Sequence, residues 1–296
     1  MSQTDVSYGH LIPMRTSRKP RLSQGLYTVV GLAGGFILLV LIVFALFPEK
    51  IAPFDPSETV ARPFLPPSGE HPLGTNDIGQ DLFSELIWGA RVSLLTGVLV
   101  GLVAVTIGSI VGLFAGYYDN IGSTFLMRVV DLTLALPFLP LVILIGAYLG
   151  PSFRNIIIIL ILVSWAAPAR LIRSRVLETT SQPYVEAAIA TGSSDNRTIV
   201  KHIWPAARII ALVQVVMVSA AAILAEASLS FLGLGDPSAK SWGTMLYFAQ
   251  ASGAFLGDAW KWWVVPTGIM ISLTVLGLVL VGYALEQYME PSLRRR

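Results

Sequence analysis

YVEAAIATGSSDNRTIVKHIWP, residues 184–205, is a polar island between two long apolar runs, and its reading decides the fold. Pro183, just ahead of it, suits the first turn of a short helix, because a proline nitrogen without N–H needs no partner there. Val185, Ala188 and Ile189 fall at i, i+3 and i+4 and make one apolar stripe, while small Ala187 and Ala190 beside it allow close approach of another surface. Gly192 comes six positions after Glu186, where a left-handed residue ends a helix at least cost. Ser193, Ser194 and Asp195 can each cap a second helix starting near Asn196. The island is therefore a helix, a corner and a second helix.

The runs on either side place the chain in a bilayer. Of the 296 residues, 54% are hydrophobic and 13% charged, against about 25% charged in a soluble domain. A formal net charge of +2 is too small to indicate nucleic acid. Cysteine is absent, which excludes disulfides and thiolate metal sites, and His10, His71 and His202 lie far apart in sequence. The expected cofactor content of this chain is none.

In chain order, residues 1–25 read as a polar cytoplasmic tail with Arg15, Arg18, Lys19 and Arg21. Residues 26–47 carry no charge, and at about 1.5 Å per residue they cross a hydrocarbon core of about 30 Å. A cleaved signal peptide would have a shorter apolar region ending in small residues, so this run reads as a retained first span. Residues 48–91 form an extracytoplasmic, Pro-rich loop that ends in an amphipathic helix, Leu82, Leu86 and Gly89 following Ile78 at helical spacing; most of its acidic residues read as solvated surface. Residues 92–290 hold five further spans, with a cytoplasmic coupling loop at 176–206, and 291–296 is a basic cytoplasmic C-terminus.

Within that core, Arg128 and Asp131 sit at i and i+3 and read as a structural ion pair rather than a proton path. Pro137 and Pro140 should bend the third span. The fourth span, about 151–172, has 15 residues between Arg154 and Arg170, whose side chains can snorkel to opposite interfaces. Glu226 is costly in lipid and should face protein or water near the outer mouth, while Trp242, Trp260, Trp262 and Trp263 suit an aromatic belt. The glycines at 108, 112 and 116 make a small-residue stripe suited to close helix packing. With six spans and both termini inside, the inner segments hold 14 Lys and Arg and the outer segments 6, so the positive-inside rule puts both termini and the 184–205 island in the cytoplasm.

Three segments carry a family resemblance. Glu186-Ala187-Ala188 with Gly192 and Pro205 resembles the EAA loop of the membrane subunits of binding-protein-dependent ABC importers, with Trp204 where the family usually has Leu. HPLGTNDIGQDLFSELIWGAR at 71–91 and EASLSFLGLG at 226–235, with Ser241-Trp242-Gly243 after it, are similar to the dipeptide, oligopeptide and nickel branch, in the subunit type with a long first external loop. Gln80 stands where that branch usually has Arg.

The resemblance implies an all-α membrane protein of six transmembrane helices, like a type I ABC importer permease with a cytoplasmic coupling helix. It implies a multi-pass subunit of the inner membrane that pairs with a homologous second permease, two cytoplasmic ATPases and an extracytoplasmic substrate-binding protein. ATP and Mg would sit on the ATPase partners. Tyr184, Glu186, Ala187, Ala188, Gly192, Asp195, His202 and Pro205 are the expected coupling residues, and Glu226, Ser230, Pro137 and Pro140 the candidate gate or pathway residues. Short peptides are the first substrate expected, with nickel chelates or oligosaccharides as alternatives.

The chain has no GxxxxGK[ST] phosphate cradle, no HExxH and no Gly-x-Ser-x-Gly. It reads as a transport subunit and not an enzyme, its energy coming from a partner. An ion-coupled secondary transporter is the competing class. It would call for ionisable groups near the midplane or interrupted spans in repeated halves, and neither is evident.

Overall fold

The computed structural model describes residues 24–289, so the expected basic C-terminus and nearly all of the N-terminal tail lie outside the described residues. Within them the chain is helical, with a single isolated bridge between Thr75 and Asp81. In order come α1 (Gln24–Leu46), α2 (Pro48–Ile51), α3 (Leu82–Tyr117), α4 (Ile121–Ala135), α5 (Phe138–Leu149) and α6 (Phe153–Ser164). Then follow α7 (Ala166–Thr180), α8 (Pro183–Ala190), α9 (Asp195–Thr198), α10 (Trp204–Phe231), α11 (Trp242–Ala251) and α12 (Val264–Met289).

Five of the described helices are long and apolar enough to cross a membrane, α6 and α7 forming one of them and α9 to α10 another. A sixth span exists only if α4 and α5 are taken together, and these meet at 90°. The break falls at Pro137, whose preceding residue Leu136 is extended (φ −78°, ψ 137°), as a residue before proline prefers to be. Pro140 lies in the first turn of α5, where its missing N–H costs nothing.

Helix α3 is the central post, packing on α7 and α10. A Cβ at Gly101 would lie 2.1 Å from Ser219 Oγ, and one at Gly112 would lie 2.6 Å from Ala169 O, so the bare backbones touch. The stripe at 108, 112 and 116 packs on α7 as its spacing predicts, and it continues upward through Gly97 and Gly101 onto α10. In the same way Gly34 lets α1 meet α12, a Cβ there falling 2.8 Å from Gly277 O.

Three readings of the sequence need correction. Leu82, Leu86 and Gly89 are buried as expected, but Ile78 is outside the helix and 54% exposed. Gly79 turns the chain with φ +81°, and Asp81 then caps α3, its carboxylate accepting from Ser84 N at 2.8 Å. The amphipathic segment is thus the first turns of the second span, since α3 runs unbroken for 36 residues. Trp242 and Trp263 are fully buried and do not join an aromatic belt: the Trp242 ring packs over Gly89 and its Nε1 donates to Leu86 O at 3.0 Å. Trp260, by contrast, is exposed.

Candidate functional site

Helix α8 stands at the end of α3 opposite Asp81. Pro183 occupies its first turn, as the sequence suggests. The helix closes in a Schellman motif: Ser193 N donates to Ala188 O at 3.0 Å and Gly192 N to Ile189 O at 2.9 Å, with Gly192 at φ +86°. No atom lies within 4 Å of where a Gly192 Cβ would be, so glycine is required by backbone conformation alone.

Only part of the expected apolar stripe is used inside the chain. Val185 is fully buried and Ala188 half-buried, whereas Ile189 is 48% exposed. Tyr184 (53% exposed), Glu186, Ala187 and Ala190 also face outward. Among the described residues the Glu186 carboxylate has no hydrogen bond or ion pair, so it does not cap local N–H groups; Gln182 occupies the N-cap position without a side-chain bond. One anchored apolar residue below and a free carboxylate, two alanines and two large apolar side chains above make a low ridge that another protein can approach closely.

The second helix departs from expectation in its capping. Ser194 is at the N-cap of α9, yet no side chain caps it. Instead, Thr198 Oγ1 donates to Ser193 Oγ at 3.1 Å, and Asp195 accepts from the Tyr117 hydroxyl at 2.9 Å, which ties α9 to the last turn of α3. The half-buried Tyr117 and its bond to Asp195 thus join the site to the central post. From α9 the chain passes through one π-helical stretch, Ile199–Ile203, directly into α10. Pro205 accounts for the widening, because it cannot donate to the carbonyl four residues back and its ring crowds it. His202 is half-buried, its ring 6.2 Å from that of Tyr184.

The remaining expected residues lie elsewhere. Asp131 pairs with Arg170 of α7 at 2.5 Å rather than with Arg128, which is exposed and has no ion pair among the described residues. Spacing permitted the Arg128 pair, but α7 packs against α4 and brings a guanidinium directly onto the carboxylate. Glu226 and Ser230 come together: Ser230 Oγ and Ser241 Oγ each donate to Glu226 Oε1 at 2.8 Å. Both residues are inside the subunit, where they hold α10 to the start of α11. Pro137 and Pro140 are exposed at the α4–α5 break.

One cluster had no forecast. Lys240 Nζ donates to Glu85 at 2.5 Å and to Gln80 Oε1 at 2.7 Å, and Asn76 Nδ2 reaches the same two acceptors at 3.2 and 3.0 Å. His71 Nδ1 meets Asp81 at 2.9 Å beside it. Gln80 thus receives a cation from 160 residues along the chain. The only available hint was an acidic residue, Glu85, on the apolar flank of a helix.

A bundle of long apolar helices with a capped, outward-facing helix at one end is the architecture of a membrane-embedded protein. Residues 108–295 match the family model described as binding-protein-dependent transport system inner membrane component, and the chain belongs to that family of ABC importer permeases. It is 39% identical over 274 residues to the di/tripeptide transport system permease protein DppC of Pseudomonas aeruginosa, covering 89% of each chain. The dipeptide transport system permease protein DppC of Bacillus subtilis is 35% identical over 90% of this chain and 83% of its own. The oligopeptide transport system permease protein OppC of the same species is 34% identical over 90% of this chain and 87% of its own. The family is one of inner-membrane subunits that work with an ATPase and a binding protein.

Proposed function

We propose that this chain is the permease subunit through which di- and oligopeptides, delivered by an extracytoplasmic binding protein, cross the inner membrane, and that α8 is the coupling helix that docks on a cytoplasmic ATPase. The observation that carries the reading is the free, outward-facing surface of α8 with its unpaired Glu186, held by the Gly192 corner and built into the chain between two spans. In this reading Ala187 and Ala188 permit close approach, Tyr184 and Ile189 enter an apolar recess, and Glu186 receives a charge-assisted hydrogen bond. Asp195, His202 and Pro205 fix the angle between α8 and α10.

A homologous second permease completes the pathway, both termini are cytoplasmic, and ATP and Mg are bound by the ATPase pair alone. Glu226 and Ser230 act from inside, by keeping α10 and α11 moving together, and the α4–α5 break at Pro137 and Pro140 contributes the irregular wall of the pathway. The names of the relatives support the substrate class. The experiment is co-purification from native membranes followed by reconstitution with the recovered ATPases and receptor. ATP-dependent uptake of a labelled tripeptide, lost in Ala187→Arg, supports the reading, whereas uptake without ATP or without ATPase partners refutes it.

A further inference from the structure

Near their α8 ends, α3 and α10 enclose an apolar groove of about 560 Å³ whose lining includes Val105, Ile110, Leu113, Trp204, Arg208 and Leu212. That volume falls in the roughly 300–1,000 Å³ range of sites that hold small ligands. Arg208 is the one charged residue of the lining, and among the described residues it has no hydrogen bond or ion pair. Arg170 pairs with Asp131, Arg173 donates to Ala115 O and Arg175 pairs with Glu178, whereas Arg197 and Lys201, nearer in sequence, resemble Arg208 in having no such partner among the described residues. The lining falls at 105–113, in the second half of α3, and at 204–215, in the first half of α10, and runs about 12 and about 17 Å along the two helices. The groove therefore lies in the half of the bundle nearer α8.

We propose that this groove is a phospholipid site, with an acyl chain along the apolar lining and the headgroup phosphate paired with Arg208 in the leaflet on the α8 side. The guanidinium fork matches a phosphate, and Trp204 stands beside it at the level where indole rings favour the interface. A peptide in transit would find few partners here, since Thr106 already donates to Leu102 O at 2.7 Å and, besides the Trp204 indole, only the Ser109 hydroxyl and Arg208 remain as polar lining groups. A neighbouring transmembrane helix would cover Arg208 without supplying an anion unless it carried an acid at that level. The site is independent of what the transporter carries.

The test places the photoreactive residue p-benzoylphenylalanine at Ile110, which is exposed, in the assembled transporter in native membranes, and reads the intact mass of the irradiated subunit. A phospholipid adduct is expected. Its yield should fall about five-fold in Arg208→Ala, in line with roughly 1 kcal/mol per basic residue near a headgroup, and should recover in Arg208→Lys. Leu212→Trp, which fills the groove without touching the charge, should lower the yield as well. The same probe at Leu32 on α1 reports ordinary lipid contact and should ignore both substitutions. A crosslink from Ile110 to another polypeptide, the absence of any adduct, or a yield indifferent to Arg208→Ala overturns the proposal.

Discussion

Replacing Gly192 isolates what the corner after α8 contributes. With φ +86° and no atom within 4 Å of a Cβ, a side chain there meets no steric obstacle from its surroundings. The whole cost is the backbone's: about 1–2 kcal/mol for an ordinary L-residue held in the left-handed region, and more for a β-branched one. Such a cost reduces the population of the intact corner by about 5- to 30-fold relative to any competing conformation. Gly192→Val should therefore insert and assemble normally, retain the basal ATPase of the partner subunits, and lose ATP-driven uptake by at least an order of magnitude. Gly192→Ala should fall between it and the wild type, and Gly192→Asn, which tolerates this region, should keep most of the uptake. The assay is uptake of labelled peptide beside ATP hydrolysis in the same proteoliposomes. If Gly192→Asn proved as damaging as Gly192→Val, or if Gly192→Val transported normally, the conformational argument would be refuted.

Other perturbations probe the bundle. Gly101→Ala drives a Cβ to 2.1 Å from Ser219 Oγ and 2.8 Å from Val215 O, and thermal unfolding of the purified subunit should register a loss of about 1–3 kcal/mol. Gly35→Ala, with nothing within 4 Å, should be neutral or stabilising. Lys240→Met strands the buried Glu85 carboxylate and should destabilise by about 3–5 kcal/mol; adding Glu85→Gln should restore much of the loss in a double-mutant cycle. Asp131→Asn breaks an ion pair whose side chains are about half exposed, so a stability change within about 1 kcal/mol and an unaltered pH profile of uptake are expected; a shifted profile would revive a proton path.

These contrasts show which features the sequence made legible. The helix, corner and helix at 183–198 were readable because Pro183 and Gly192 act through their own backbone geometry, which no distant residue overrides. The small-residue stripe of α3 was readable for the same reason: a missing side chain permits contact whatever the partner is. Charges were harder. Arg128 has the right spacing to reach Asp131, but whether it does depends on α7, which brings Arg170 from 39 residues away. The Lys240–Glu85 bridge spans 155 residues and had no local signature. Tryptophan misled because its amphipathic ring suits either an interface or a core with one acceptor, and the carbonyl of Leu86 supplies the acceptor for Trp242.

From Asp195 to Phe231 the chain is one rod of 37 residues, about 55 Å long. A stiff rod of that length behaves as a boom: a tilt of about 5° at one end sweeps the other through about 5 Å. The α8 corner grips one end, and Glu226, near the opposite end, is fastened through Ser241 to the first turn of α11. If α8 docks on an ATPase as proposed, displacement of the ridge would reach the far face almost undiminished in angle, with one place to lose it, the widened turn at 199–203. In that reading the stiffness of this joint, where Pro205 interrupts the α-helical ladder, would set how much of each stroke is delivered.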